Sequence, residues 1–194
     1  MQEKAEGRRV KMTKMLIKKS LIEIMKKKSI HTISIKEICE GADINRSTFY
    51  RHYNTQYELY DDIINDLASN IISVFDQSRS TSDSTPDILA NILTYIENHR
   101  ETFLVILSDK SNVSLGEAYS GIVQRFIDKK STSEFGVYIA QFVAAGMTSF
   151  LWTWLSKEKR RPPKEVAALI YTLMMHGLRR AIDFSDTPGT YEEL

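Results

Sequence analysis

The stretch that decides the fold is SIKEICEGADINRSTFYRHY, residues 34–53. Its first four residues match a capping box, in which the Ser34 hydroxyl accepts a backbone N–H and the Glu37 carboxylate accepts one in return. A short helix is therefore predicted to begin at Ser34. Gly41 is placed to end it, because glycine readily adopts the left-handed conformation that helix ends favour.

A second short helix is predicted from Asn45 to near Tyr53, since Asn is a favoured N-cap. The four residues between the helices, 41–44, make a turn of the length that a helix-turn-helix uses. At about 100° per residue, Phe49 and Tyr53 share the inner face of the second helix. The outer arc combines positive charge, hydrogen-bond donors and aromatic edges, which suit a DNA major groove about 12 Å wide. That arc comprises Arg46, Ser47, Thr48, Tyr50, Arg51 and His52. A solvated amphipathic helix has a similar pattern, so the surrounding sequence decides between the two interpretations.

Charge is distributed unevenly along the 194 residues. The whole chain has 26 basic and 25 acidic side chains, a formal net charge of +1. Residues 1–54 hold 13 basic and 6 acidic side chains, so this part is +7 and the remainder is −6. A basic N-terminal part around a helix-turn-helix pattern is the electrostatic arrangement expected of a nucleic-acid-binding domain.

The remaining chain is predicted to be helical, because apolar residues recur at steps of three and four and sustained alternation is missing. The predicted fold class is therefore all-α. A long helix is predicted from Thr55, where Thr-Gln-Tyr-Glu repeats the capping-box pattern. Residues 77–85, rich in Ser, Thr and Asp, are predicted to form an exposed loop, after which Pro86 restarts a helix. The other predicted helices cover residues 10–28, 100–107, 115–130, 134–156 and 163–182.

Residues 11–64 resemble the N-terminal DNA-binding domain of the TetR family of bacterial transcriptional regulators. The family pattern has a Thr and a basic residue early in the first helix, here Thr13 and Lys14. Its second helix ends Ile-x-x-x-Ala-Gly-Val, which corresponds to Ile38-Cys-Glu-Gly-Ala-Asp-Ile44. The Tyr-x-His-Phe signature follows as Tyr50-Arg-His-Tyr53.

The resemblance implies a three-helix helix-turn-helix domain followed by a helical-bundle effector and dimerisation domain. Residues 1–54 would bind DNA, residues 55–76 would form a connecting fourth helix, and residues 77–194 would sense a ligand and dimerise. The implied function is a homodimeric regulator, not an enzyme, that a small-molecule or protein effector releases from a palindromic operator. The alternative is a protein-interaction adaptor or co-activator that keeps the fold but binds DNA weakly. The implied DNA-binding residues are Ser34, Lys36, Arg46, Ser47, Thr48, Tyr50, Arg51, His52 and Tyr53.

One departure from the family pattern bears on DNA affinity. Gln56 stands where the family usually has a Lys at the start of helix four, so a weaker phosphate contact is expected there. Arg8, Arg9 and Lys11 are expected to compensate from a flexible N-terminal arm in the minor groove. A second departure is local: Gly41-Ala42 precedes Asp43 where the family has Ala-Gly.

The C-terminal part is similar, over residues 142–178, to the subgroup that includes the dihydroxyacetone-kinase regulator. Trp154-Leu155 and Pro163-Lys-Glu165 match that subgroup's spacing. The helices predicted over 134–156 and 163–182 are expected to form a four-helix dimer interface. Seven residues are candidates for lining an apolar ligand pocket, although aromatic and Met side chains also commonly form the core of a helical bundle. They are Tyr95, His99, Phe103, Phe142, Met147, Phe150 and Met174.

Other function classes find little support. Cys39 is the single cysteine and the four histidines lack the spacing of a helical metal site, so no metal and no cofactor are expected. No phosphate-binding glycine loop or catalytic constellation appears, so an enzyme is not predicted. Residues 135–156 are uncharged and long enough to cross a bilayer, but such helices also occur at the centre of soluble dimers, so no membrane contact is expected. The N-terminus lacks the apolar run that export needs, which predicts a cytoplasmic protein.

Overall fold

The computed structural model describes residues 2–81, 83–108, 134–174 and 177. These residues form helices and no strand, which confirms the predicted all-α fold class. The helix predicted over residues 115–130 lies outside the described part of the chain. The helices are α1 (Gln2–Met25), α2 (Ile35–Ala42), α3 (Arg46–Tyr50), α4 (Gln56–Ser80), α5 (Thr85–Asn98), α6 (Arg100–Ser108), α7 (Glu134–Ser156) and α8 (Pro163–Leu173).

The chain divides into two compact units, which meet in sequence between Leu67 and Ala68. We call the described residues of the first unit, 2–67, the reading head. We call those of the second unit, 68–81, 83–108, 134–174 and 177, the C-terminal bundle. The sequence position of this division falls inside α4.

The reading head is built around fully buried apolar side chains from four helices. Helix α2 packs against both α1 and α3. Between α1 and α2, the buried Ser20 hydroxyl donates a hydrogen bond of 2.8 Å to the carbonyl of Ile38. The burial of these apolar groups is the main term that holds such short helices together, because helices of five or eight residues are not stable alone. The side chains with no exposed surface are Ile17, Leu21, Ile38, Phe49 and Leu59.

Helix α1 is longer at its start than predicted. It begins at Gln2 rather than near residue 10, and it ends at Met25. Arg8, Arg9 and Lys11 therefore lie on a helix, and the expectation of a flexible N-terminal arm was wrong. The first turns contain good helix formers and only one glycine, Gly7, so local propensity explains the extension.

The turn between α2 and α3 also differs from the prediction. Gly41 lies inside α2, and the left-handed residue is Asp43, with φ 53° and ψ 50°. The backbone N–H of Ile44 donates to the carbonyl of Cys39 at 3.0 Å, and that of Asp43 donates to Glu40 at 3.3 Å, which together make a Schellman motif. Gly41 is needed for another reason: a Cβ atom there would overlap the Ser20 hydroxyl of α1.

The C-terminal bundle packs α5 against α8 and α6 against α7. The Ser84 hydroxyl caps α5, and Pro86 occupies its first turn, as predicted from the proline. Helix α4 reaches Ser80, so the loop predicted over residues 77–85 is shorter than expected. Helix α7 has the predicted bounds, and α8 begins at the predicted Pro163.

The connection from α7 to α8 is fixed by hydrogen bonds to backbone carbonyls. Arg100 Nε donates to the carbonyl of Leu155 at 2.7 Å, which satisfies an otherwise unpaired group at the end of α7. Trp154 Nε1 donates to the carbonyl of Arg161 at 2.9 Å. Within the described residues, no helix combines the length and the apolarity needed to cross a membrane.

Candidate nucleic-acid interface

The capping box that opens α2 forms as predicted. The Ser34 hydroxyl accepts the backbone N–H of Glu37 at 3.3 Å, and a Glu37 carboxylate oxygen accepts the backbone N–H of Ser34 at 2.9 Å. Lys28 also donates to this carboxylate. Hydrogen bonds from Lys28 and Ser34 lower the pKa of Glu37 from 4.5 to about 2. The start of α2, which carries Ser34 and Lys36 on its exposed surface, is therefore held in place at neutral pH.

Helix α3 is shorter than predicted, and it ends at Tyr50 rather than near Tyr53. Asn45 occupies the N-cap position, but its side chain makes no capping hydrogen bond. After Tyr50 the chain continues as a turn, in which the backbone N–H groups of His52 and Tyr53 both donate to the carbonyl of Phe49. We call residues 45–53 the reading segment.

The reading segment presents most of the predicted DNA-binding side chains outward. Tyr50 is 54% exposed, and its ring is held edge-on by the fully buried Phe49, with the two ring centroids 5.8 Å apart. This contact fixes the direction of an exposed aromatic side chain. The exposed members of the set are Ser34, Lys36, Arg46, Ser47, Tyr50 and Arg51, while Thr48 and His52 are half-buried.

Tyr53 differs from the other members of the predicted set. Its side chain is buried, and its hydroxyl donates to an Asp62 carboxylate oxygen at 2.7 Å. Burial, together with this hydrogen bond, raises the pKa of Tyr53. The assignment of Tyr53 to the DNA-contacting surface is therefore wrong, because the ring lies in the core of the reading head.

Some cations of the reading head are neutralised by carboxylates and others are not. Lys14, Lys18 and Lys28 form ion pairs with carboxylates of the same unit. Among the described residues, Arg46 and Arg51 have no such carboxylate, and both are exposed. Lys36 pairs loosely with Glu40 at 3.7 Å, on a surface where such a pair is worth little. The outward face of the reading segment thus keeps positive charge that the protein itself does not neutralise.

His52 lies beside two cations. Burial, with the positive charges of Lys14 and Arg51, lowers the pKa of His52. The imidazole is therefore neutral at pH 7, where it offers one N–H donor and one acceptor nitrogen.

A carboxylate on α4 joins the network around Tyr53, and no sequence argument had singled it out. Asp62 accepts from Lys18 at 2.9 Å and from Lys14 at 3.4 Å, and Lys18 also reaches Asp66 at 2.6 Å. A usable signal was present in the sequence. Lys14 and Lys18 are four residues apart on one helix, Asp62 and Asp66 are four apart on another, and such complementary pairs mark facing surfaces.

Gln56 is the first residue of α4 and is half-buried. The Thr55 hydroxyl accepts the backbone N–H of Glu58 at 3.1 Å, so the predicted cap forms in part. The Glu58 carboxylate, however, accepts from Asn54 rather than from Thr55. The start of α4 therefore has a carboxylate of its own and lacks a cation at position 56.

The structure brings three of the pocket candidates together in the C-terminal bundle. Tyr95 stacks on His99 with ring centroids 4.3 Å apart, and it meets Phe103 edge-on at 6.3 Å. Phe142 is 81% exposed, which does not suit a residue lining an enclosed pocket within one chain. The other candidates, Met147, Phe150 and Met174, are half-buried.

Residues 83–176 match a family of transcriptional regulator C-terminal regions, TetR_C_8. This C-terminal region of the chain is thus of the TetR regulator type. The described residues contain no group of three or more side chains able to hold a metal ion.

Relatives of this regulator support the same assignment. An HTH-type transcriptional regulator from Haemophilus influenzae is 22% identical over 187 residues, which cover 88% of this chain and 89% of the relative. YxbF of Bacillus subtilis, also an HTH-type regulator, is 24% identical over 97 residues. That match covers 47% of this chain and spans 26% of the length of YxbF.

Solved structures show the same fold. A TetR transcriptional regulator from Streptococcus agalactiae has a TM-score of 0.63 at 22% identity and covers 89% of this chain and 98% of its own. DhaS, a dihydroxyacetone kinase operon activator, has a TM-score of 0.53 at 18% identity and covers 87% of this chain and 97% of its own. The predicted likeness to the dihydroxyacetone-kinase-regulator subgroup is thus confirmed at the level of fold.

Proposed function

We propose that this regulator is a homodimer that represses transcription by binding a palindromic operator through its two reading heads. The observation that carries the proposal is the exposed, positively charged face of the reading segment. Arg46, Tyr50 and Arg51 provide bidentate donors and an aromatic edge, which are suited to base edges and phosphates in a major groove. As a DNA-binding regulator it would work in the cytoplasm, where bacterial DNA lies.

The dimer contact is proposed to lie on α7 and α8. Both helices expose large apolar side chains, which soluble monomers rarely show as a set. A two-fold contact uses the same patch on both subunits, so these side chains would meet their own copies. They are Tyr138, Phe142, Trp152, Leu169 and Leu173.

The regulatory step is proposed to be a shift between two dimer populations. An effector that binds better to the population with the wrong spacing of the two reading heads lowers the fraction that fits the operator. Helix α4 (Gln56–Ser80) would carry the change, because its residues belong to both units. The effector, a small molecule or a protein, would bind the C-terminal bundle near Tyr95, His99 and Phe103. In functional terms, residues 1–54 would bind DNA, residues 55–76 would connect, and residues 77–194 would sense the effector.

The experiment is a selection of duplexes from a random library by the purified protein. The proposal expects enrichment of an inverted repeat, one dimer bound per site, and loss of the repeat when Arg51 is replaced by Ala. Enrichment of no particular sequence at low salt would contradict it.

A second role is favoured by one observation, the likeness to the operon activator DhaS. In this version the same operator contact recruits a partner protein instead of blocking transcription. Gln56 agrees with this second role. Its phosphate contact is weaker than that of a Lys, so binding at the promoter would depend more on the partner protein. Transcription in vitro from a promoter that carries the selected repeat separates the two roles, since a repressor lowers the transcript and an activator raises it.

A further inference from the structure

The carboxylate of Asp62 lies where three donors from two other segments converge. One oxygen, Oδ2, accepts from the Tyr53 hydroxyl at 2.7 Å, from Lys18 at 2.9 Å and from Lys14 at 3.4 Å. Lys18 also donates to the backbone carbonyl of Asp62 at 3.4 Å. The side chain of Asp62 is 31% exposed, so water screens these contacts only in part.

The contacts of Asp62 continue into the reading segment through Tyr53. The Tyr53 ring packs against Phe49 with centroids 5.9 Å apart and against His52 with centroids 6.4 Å apart. Lys14 lies over the face of the same ring, 5.1 Å from its centroid. The phenol is therefore held by a hydrogen bond at its hydroxyl and by packing along its ring, which leaves it little freedom to turn.

The short length of α3 makes these contacts important. A five-residue helix cannot hold its own direction, because nearly all of its terminal backbone groups lack partners within the helix. Its direction depends on two buried anchors, which are Phe49 within the helix and Tyr53 after it. A shift of about 1 Å in such an anchor displaces every outward side chain of the segment.

We propose that Asp62 of α4 is a positioning residue for operator recognition. It acts through Tyr53, and it sets the direction of the reading segment. This inference rests on the proposed function, because it concerns how the DNA-binding face is held. Asp62 stays ionised in this role. Burial opposes its charge, but hydrogen bonds from Lys18 and Tyr53 outweigh that effect and lower the pKa of Asp62.

Because Asp62 is negatively charged, its removal has two opposite effects on DNA affinity. A negative charge on a DNA-binding domain opposes binding to any phosphate backbone, so its removal alone favours binding to all duplexes. Loss of positioning does the opposite, and only for the sequence that needs a correctly directed reading segment. Asp62→Asn therefore separates the two effects. The loss of negative charge raises the affinity for every duplex, whereas the loss of positioning lowers only the affinity for the recognised sequence.

The test compares Asp62→Asn and Tyr53→Phe with the unmodified protein on two probes at equal salt. One probe is the duplex that the unmodified protein selects from a random library, and the other is a scrambled duplex of the same composition. The expected result for each variant is a fall of at least about tenfold in the ratio of the two affinities, because one charge-assisted hydrogen bond is worth about tenfold or more and the dimer has two copies of it. The double variant should fall no further than Asp62→Asn, because both changes break one contact.

Glu23→Gln is the control, since it removes one negative charge from the reading head at an exposed position whose described ion pair, with Lys26, lies at the end of α1. Its ratio should stay within about twofold of the unmodified protein. Circular dichroism at the assay temperature establishes that each variant is folded. Tyr53→Phe removes one oxygen atom only, so it provides a folded variant if Asp62→Asn does not fold.

A ratio that stays unchanged in folded Tyr53→Phe and Asp62→Asn would overturn the positioning role, even if both variants melt at a lower temperature. In that outcome the proposed function stands, because the unmodified protein still selects its duplex. If the unmodified protein selects no duplex, the proposed function fails and the positioning role fails with it.

Discussion

The reading head and the C-terminal bundle are stabilised in different ways. In the reading head, capping groups hold the short helix α2, a fully buried set of apolar side chains holds both α2 and α3, and ion pairs such as Lys18 with Asp62 join α1 to α4. The outward face of the reading segment is cationic, while α1 exposes the apolar side chains of Val10, Met12, Met15 and Leu16. In the C-terminal bundle, α7 and α8 leave large apolar side chains partly outside, with Phe142 81% exposed. The difference indicates that the reading segment suits a polar partner, whereas α7 and α8 have an apolar surface that another copy of the chain would cover.

The largest expected effect comes from removing the outward face of the reading segment. Tyr50→Ala combined with Arg51→Ala should weaken binding to the selected duplex by about 1,000-fold or more. Each head then loses roughly 2 kcal/mol of contacts, and a dimer places two heads on one site. Fluorescence anisotropy with the labelled duplex measures the loss.

Lys27→Ala is the control for that experiment, because Lys27 is an exposed cation of the reading head outside the reading segment. It should cost only a few-fold. Sedimentation should show the double variant as an intact dimer. Dissociation into monomers would refute the outward placement of these side chains.

The next effect concerns the apolar surface of the bundle. Phe142→Asp should raise the dimer dissociation constant by about 100-fold, since each copy loses at least about 1.5 kcal/mol of apolar burial. Analytical ultracentrifugation over a concentration series measures it. Ser149→Asp on the same helix is exposed without being apolar and tests whether charge alone disrupts the contact. An unchanged dimer in Phe142→Asp would place the subunit contact on another face.

A smaller effect is expected at the start of α4. Gln56→Lys should tighten binding to the selected duplex about fivefold at low salt, because it restores a phosphate-neutralising charge at a helix N-terminus. The slope of log affinity against log salt should become steeper by about one for each subunit. Gln56→Met is the uncharged control of similar length. If Lys leaves the slope unaltered, position 56 does not face a phosphate.

The smallest effects test the turn between α2 and α3, and they have opposite signs. Asp43→Gly should stabilise the protein by about 0.5–1 kcal/mol, because glycine adopts the left-handed conformation without a steric cost. Gly41→Ala should destabilise it by about 1 kcal/mol or more, since the added methyl group displaces the Ser20 hydroxyl from the Ile38 carbonyl. Urea unfolding followed by circular dichroism measures both. Stabilisation by Gly41→Ala would show that the added methyl group fits, and it would contradict the role of the close approach of Ser20.

Local signals in the sequence predicted much of the fold. The Ser34 cap with Glu37, the proline starts of α5 and α8 and the apolar spacing of α7 each act within a few residues, so they can be read from the chain. The left-handed residue could not be assigned in this way. Gly41 and Asp43 both favour turns, and only the approach of Ser20 from α1 shows why glycine is required at 41.

The candidate site shows the same limit. The outward direction of Arg46, Tyr50 and Arg51 follows from helical spacing, because Phe49 sets the inner face. The burial of Tyr53 depends on Asp62, nine positions further along the chain, and on Lys14 and Lys18 of α1. Helical spacing placed Tyr53 on the inner face with Phe49, whereas the family resemblance placed it among the DNA-binding residues, and only the contacts between separate helices decide between the two.

The most direct test of the central claim is the salt dependence of binding to the selected duplex. Arg46 and Arg51 are exposed without a carboxylate partner among the described residues, and a dimer presents two copies of each. Neutralisation of about four phosphates predicts a slope of log affinity against log salt of about −4 or steeper, with a scrambled duplex bound far more weakly at every salt concentration. A slope near zero, or equal affinity for the two duplexes, would contradict the assignment of the reading head to sequence-specific DNA binding.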